Sequence, residues 1–197
     1  MTRRVVLASS NAGKLREFSD LLAGLDFDVV AQGDLGIEAA DEPHRTFLEN
    51  ALAKARHASE GSGLPALADD SGLCVAVLQG APGVRSARFA GPAADDAANN
   101  VELLRRLRGQ ADRRAHYTCV LAAVTSADDP EPIVAEARWQ GEILQSPRGS
   151  GGFGYDPLFL VTGRGCTAAE LSAEEKNRIS HRGQALRELV RRLAAWR

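Results

Sequence analysis

The sequence predicts one mixed α/β unit over residues 1–197, and three observations carry that reading. Short, continuous apolar runs alternate with amphipathic segments of helical period, the pattern of strands covered by helices. Two long strand-like segments, "AHYTCVLAAVTS" and "PIVAEARWQGEIL", are joined by the turn "ADDPEP", so at least part of the sheet is antiparallel. No repeat, low-complexity tract or linker interrupts the chain, and 197 residues suffice for one well-buried core, with a deep cleft if it divides into two lobes.

In chain order, "RRVVLAS" reads as a buried strand. "NAGKLREFSDLLAGL" follows as a helix, with Leu15, Phe18, Leu21, Leu22 and Leu25 at helical spacing. Between them "ASSNAGKL" looks like a phosphate loop, yet a Walker A loop needs Gly first and Ser or Thr after the Lys, where this chain has Ala8 and Leu15. "FDVVAQ" suggests a second strand. "TFLENALAKARHASE" suggests a helix opened by the capping-box pair Thr46 and Glu49. "PALADDSGLCVAVL" reads as strand, turn, strand, followed by the loop "GAPGVRSARFAGP". A helix over roughly residues 94–108, the two long strands and a last helix, "SHRGQALRELVRRLAAW", complete the chain.

Composition narrows the function. The formal net charge of -2 gives no general attraction to nucleic acid, and aromatic content is low, which argues against a nucleic-acid module. Phosphate binding would need a local cluster of donors. Cys74, Cys119 and Cys166 are odd in number, widely spaced and free of any CxxC pattern, as expected of buried thiols in a reducing compartment rather than of a zinc site. The short apolar run before "SSN" has no signal-peptide layout and no segment approaches a membrane span, so a cytoplasmic protein with no membrane partner is expected. Of the 24 basic residues only Lys14, Lys54 and Lys176 are lysines. A compact ammonium approaches a phosphate oxygen as a point charge where a planar guanidinium does not fit, so these three are either site residues or the remnant of compositional drift.

Two glycine-rich loops match dinucleotide fingerprints without their context. "GSGGFG" (residues 149–154) is closely followed by Pro157, and too little chain follows "GRGCTA" (residues 163–168) for a second parallel strand. "GGFGYDP" offers either a tight turn whose aromatics fill the core, or an exposed tip on which Phe153 and Tyr155 stack a base while Asp156 accepts from ring nitrogens. Three acidic pairs differ in setting. Asp95-Asp96 falls at a helix start and Asp128-Asp129 in a turn, both structural positions. Asp69-Asp70 is expected at a strand end, where adjacent carboxylates repel unless a cation accompanies them, which suggests magnesium. Glu42 is an exposed solubilising acid, or a further ligand if its loop folds back. Lys176, His181 and Arg182 gather near the start of the last helix, either to receive an anion or to pair with Glu174 and Glu175.

Taken in order, "ASSNAGKLREF", "ENALAKA", "ADDSGL", "GAPGVRSARFAG", "GGFGYDP" and "EEKNRISHRGQAL" closely resemble the noncanonical purine nucleoside triphosphate pyrophosphatases, the inosine triphosphatase-like family. The resemblance implies a long mixed central sheet with flanking helices forming two lobes around a cleft, a homodimer, and magnesium-dependent hydrolysis of ITP, dITP or XTP to the monophosphate and pyrophosphate. It implies a phosphate loop of the family's own design at Ser9, Ser10, Asn11, Ala12, Gly13 and Lys14, with Ser10 where Gly is common. Lys54 and Lys176 fall at the family's other phosphate- or substrate-binding lysines. Asp70 is implied as proton acceptor and magnesium ligand, Glu42 as second metal ligand and Asp69 as support beside Ser71. Phe153, Gly154, Tyr155, Asp156, His181 and Arg182 are implied at the base. The motif order of the Maf-like nucleotide pyrophosphatases, the rival enzyme reading, is not found.

Overall fold

Val5, Val6, Leu7 and Ala8 are all buried, as a run without alternation requires when a strand is covered on both faces. They lie in β1 (Arg3–Ala8), which pairs in parallel with β2 (Phe27–Ala31) and with β3 (Ala66–Val75). The computed structural model describes residues 3–9, Leu15, Phe18 and residues 27–193. With β4 (Arg114–Val124), β5 (Ile133–Ile143) and β6 (Phe159–Val161) the sheet has six strands in the order β2-β1-β3-β4-β5-β6, and β5 and β6 are antiparallel. The sheet is therefore mixed, as expected. Leu15 and Phe18 are helical and Phe18 is buried, whereas Leu21, Leu22 and Leu25 lie outside the described residues.

The chain divides into two compact units, Met1–Asp70 with Cys119–Glu136 and Gly183–Arg197, and Ser71–Thr118 with Ala137–Arg182. Each has its own apolar core. In the first, Ala51, Ala55 and Ala58 of the Phe47–Ser62 helix pack with Val6, Ala8, Ala66, Ala68 and Val120. Small side chains on both surfaces let the helix backbone come close to the strands. In the second, Leu73, Leu103, Leu107, Tyr117, Trp139 and Phe159 form the core with Tyr155 and Leu158.

The predicted helix starts near Thr46, Asp95 and His181 are found, and the one at Asn11 lies outside the described residues. The Thr46 hydroxyl accepts from the Glu49 amide at 3.2 Å and donates to the Glu49 carboxylate at 2.6 Å. Asp95 caps the Asp96–Arg106 helix by accepting from the Ala98 amide at 2.7 Å. Asp129 holds its turn through the Thr125 amide and hydroxyl and the Glu131 amide. Additions to the sequence reading include the three-residue β6, and the Ala173–Ile179 helix, whose capping box joins Ser172 to Glu175. Cys74, Cys119 and Cys166 form no disulfide, but only Cys119 is buried; the other two are half-buried, which corrects the expectation of three buried thiols.

The reading of "ADDSG" as a turn is also corrected. β3 runs unbroken through Asp69, Asp70, Ser71 and Gly72, so the acidic pair sits within a buried strand rather than at its end. A strand normally excludes adjacent carboxylates; side chains distant in sequence make this one tolerable.

Candidate functional site

The first unit carries a carboxylate–lysine cluster. Asn50 and Lys54 stand one turn apart on the Phe47–Ser62 helix and so share a face. The Lys54 ammonium donates to Glu42 Oε1 at 2.6 Å and to Asp70 Oδ1 at 3.0 Å. Asn50 Nδ2 donates to Asp70 Oδ2 at 3.2 Å, and its own amide is tied to the His44 backbone. The Cys119 thiol lies 3.8 Å from Asp69 Oδ2. The loop bearing Glu42 does fold back, through Lys54. Burial alone would lower the Lys54 pKa, but the charges of Asp70, Asp69 and Glu42 outweigh it and hold the ammonium above its ordinary 10.5. Lys54 is thus a fixed positive charge at neutral pH.

Glu42, Asp69 and Asp70 present only oxygen donors, the set that suits magnesium. Among the described residues no three His, Cys, Asp or Glu side chains gather so that they could hold a metal ion. The Lys54 ammonium bridges Glu42 and Asp70 and so brings the two carboxylates together. Of the expected phosphate loop, Ser9 is half-buried directly after β1, and Ser10, Asn11, Ala12, Gly13 and Lys14 lie outside the described residues.

The second unit carries an aromatic–cation cluster organised by Asp156. Its Oδ2 accepts from the Phe153 amide at 2.9 Å and from the Lys176 ammonium at 2.7 Å, and its Oδ1 accepts from the Tyr117 hydroxyl at 3.3 Å. The Tyr117 ring lies parallel to the His181 imidazole, with centroids 4.7 Å apart. Burial, then the Asp156 charge, drive the Tyr117 phenol well above its ordinary range, so it stays a neutral donor. Arg182, only 2% exposed, donates to Ser71 Oγ at 2.9 Å. Lys176 Nζ stands 4.5 Å and Arg182 Cζ 5.8 Å from the centre of the Phe153 ring.

One expectation fails here. Tyr155 and Asp156 are buried rather than exposed at a tip: the Tyr155 hydroxyl donates to the Ser86 carbonyl at 2.8 Å, while Asp156 is consumed inside the turn it helps to build. Phe153 alone of the three is half-buried. Lys176 pairs with Asp156, and Glu175 caps its own helix. Sequence reasoning missed Asn50 and Tyr117. An asparagine inside a helix, four residues before a scarce lysine, was the available signal for the first; nothing local marked the second.

Each unit of this α/β protein thus buries a lysine against a carboxylate, Lys54 on Asp70 in the first and Lys176 on Asp156 in the second, where Phe153 and Arg182 stand beside it. The chain belongs to the Ham1 family, whose model matches residues 5–192. It is 64% identical over 194 residues to a dITP/XTP pyrophosphatase of Ralstonia nicotianae, covering 97% of this chain and 96% of the relative. It is 61% identical to a dITP/XTP pyrophosphatase of Burkholderia pseudomallei, covering 98% and 95%. The structure of a HAM1 protein from Coxiella burnetii, 47% identical, superposes with a TM-score of 0.92 over 98% of this chain and 99% of that one.

Proposed function

We propose that this chain hydrolyses noncanonical 6-oxopurine nucleoside triphosphates, dITP and XTP and with them ITP, to the monophosphate and pyrophosphate, removing them from the nucleotide pool. The observation that carries the reading is the buried cluster in which Lys54 is clamped by Glu42 and Asp70; the names of the relatives supply the substrate. A water attacks the α-phosphorus, Asp70 accepts its proton, the bond from the α-phosphorus to the bridging oxygen breaks, and its electron pair leaves with pyrophosphate. Lys54 holds the Asp70 carboxylate in place and offers positive charge to phosphate oxygens. Magnesium, held by Glu42 and Asp70, would neutralise phosphate charge and polarise the attacking water.

Base choice falls to the Asp156 cluster. Lys176 and Asp156 fix the Phe153 ring as a stacking surface, and the Arg182 guanidinium donates to the 6-oxo group, where adenine would oppose it with another donor. Ser9 to Lys14 act as the phosphate loop by the same resemblance. That resemblance also carries the proposals of a homodimer and a cytoplasmic setting; no helix among the described residues is long and apolar enough to cross a membrane.

Pyrophosphate and orthophosphate are assayed separately on dITP, XTP, ITP, dATP and dGTP, with magnesium and with a chelator. The expected outcome is magnesium-dependent pyrophosphate from the 6-oxo noncanonical substrates and on the order of 100-fold less from dATP. Orthophosphate as the first product, or equal turnover of dATP, overturns the reading.

A further inference from the structure

The Asp96–Arg106 helix does more than fill a flank of the second unit. Asp95 serves as its cap, which leaves the neighbouring carboxylate, Asp96, for other work. Asp96 Oδ2 accepts from the Gly154 amide at 2.6 Å. One turn later, Asn100 Nδ2 donates at 2.8 Å to the Gly154 carbonyl, and at 2.8 Å to the Asp96 carbonyl. Both polar groups of one residue are therefore held by two side chains on one helix face. Gly154 is in the left-handed region, with φ of +64°, and the two peptide units that flank its Cα are the ones that aim Phe153 and Tyr155. Asn99, the residue before Asn100, ties the Ala87 carbonyl and the Ala90 amide of the preceding segment to the same helix. The Asn100 Oδ1 atom is buried and has no partner among the described residues. A protein retains a buried orphan acceptor where the other half of the amide is needed.

We infer that Asp96 and Asn100 are positioning residues that set the pose of the Phe153 ring, and through it the affinity and selectivity for the purine base. They touch no reacting atom. The inference rests on the reading above that Phe153 stacks the base, and its tests separate the two. Charge-assisted hydrogen bonds are short and strong, so the Asp96 contact is the firmer of the two anchors. Without it the peptide between Phe153 and Gly154 is held only through its carbonyl, by the Asp156 amide, and the ring's pose loosens.

Asp96→Ala is compared with Asp95→Ala, which weakens the same helix start without touching Gly154. Asp96→Ala should raise KM for dITP by about fivefold, the scale of one lost stacking contact, with kcat within about twofold; Asp95→Ala should lower Tm and leave KM unchanged. Asn100→Ala, which leaves the first turn of the helix intact, should repeat the Asp96→Ala result and keeps the inference testable if that variant folds poorly. In a Phe153→Ala background, Asp96→Ala should add nothing further to KM. Equal KM values for Asp96→Ala and Asp95→Ala, or additive effects in the double variant, overturn the inference. If Phe153→Ala itself leaves KM unchanged, the stacking reading fails and the inference with it.

Discussion

Asp70→Asn should fold and bind nucleotide but lose turnover by on the order of 100-fold or more at saturating magnesium. The substitution is nearly isosteric, so β3 and the first core should persist, with a native circular-dichroism spectrum. One local conflict is introduced. If the new carbonyl faces Lys54, the new amide faces Asn50 Nδ2, donor against donor, at the position where Asp70 Oδ2 accepts at 3.2 Å. An unsatisfied buried donor costs about 1 to 3 kcal/mol, enough to lower Tm without unfolding a chain of this size. The loss of turnover has a separate cause. An amide accepts no proton from water and binds a divalent cation poorly, so both tasks assigned to Asp70 are removed together. A folded variant turning over dITP within about threefold of the parent, at saturating magnesium, would take Asp70 out of the mechanism.

Gly152→Ala should have the largest effect among substitutions outside the carboxylate cluster. At Gly152 φ is +71°, and an added Cβ would clash with Asp156 Oδ2, the oxygen that receives both the Phe153 amide and the Lys176 ammonium. The carboxylate has little room to retreat. Its own backbone is tied on both sides, by its amide to the Phe153 carbonyl at 3.3 Å and by its carbonyl to the Ala169 amide at 3.2 Å. The methyl group therefore strains a left-handed residue and parts a buried ion pair, costs of about 1 to 2 and 3 to 5 kcal/mol. A Tm lower by about 10 °C is expected, with KM for dITP raised by about tenfold as Phe153 loses its anchor. Gly154→Ala separates the terms: φ there is +64° but nothing lies within 4 Å of the added carbon, so backbone strain acts alone and the Tm loss should be less than half as large. Equal losses in the two variants would show that the Asp156 contact contributes nothing.

What the sequence made legible follows from how local each signal is. Strand β1, the caps at Thr46 and Asp95, the turn at Asp129 and the start of the last helix at His181 each depend on residues within about one helical turn, and each stands where it was read. The scarcity of lysine singled out Lys54 and Lys176, and both are buried in ion pairs. The misreadings share one physical cause. "ADDSG" has the composition of a turn, and partners such as Lys54, Asn50 and Cys119, 16, 20 and 50 residues away from the carboxylates they meet, make it a buried strand. "GGFGYDP" has the composition of an exposed loop, and Tyr155 is drawn inward by Ser86, 69 residues away. Polar residues in a core are specified by partners, and partners at that distance leave no trace in a local window. Tyr117 was hidden for a related reason: in a strand it reads as core, which it also is, and only its contacts with His181 and Asp156 give it a place in the cluster.

The central claim is a division of labour, with chemistry at Asp70 and base recognition at the Asp156 cluster and Arg182. The most direct test is the ratio of kcat/KM for dITP to that for dATP, measured in the parent, Asp70→Asn and Arg182→Ala. Asp70→Asn should lower both constants alike and leave the ratio unchanged. Arg182→Ala should shrink the ratio by roughly tenfold or more, chiefly through lost dITP activity, since one base contact is worth about 1 to 3 kcal/mol of discrimination. An unchanged ratio in Arg182→Ala, or a changed one in Asp70→Asn, would contradict the account.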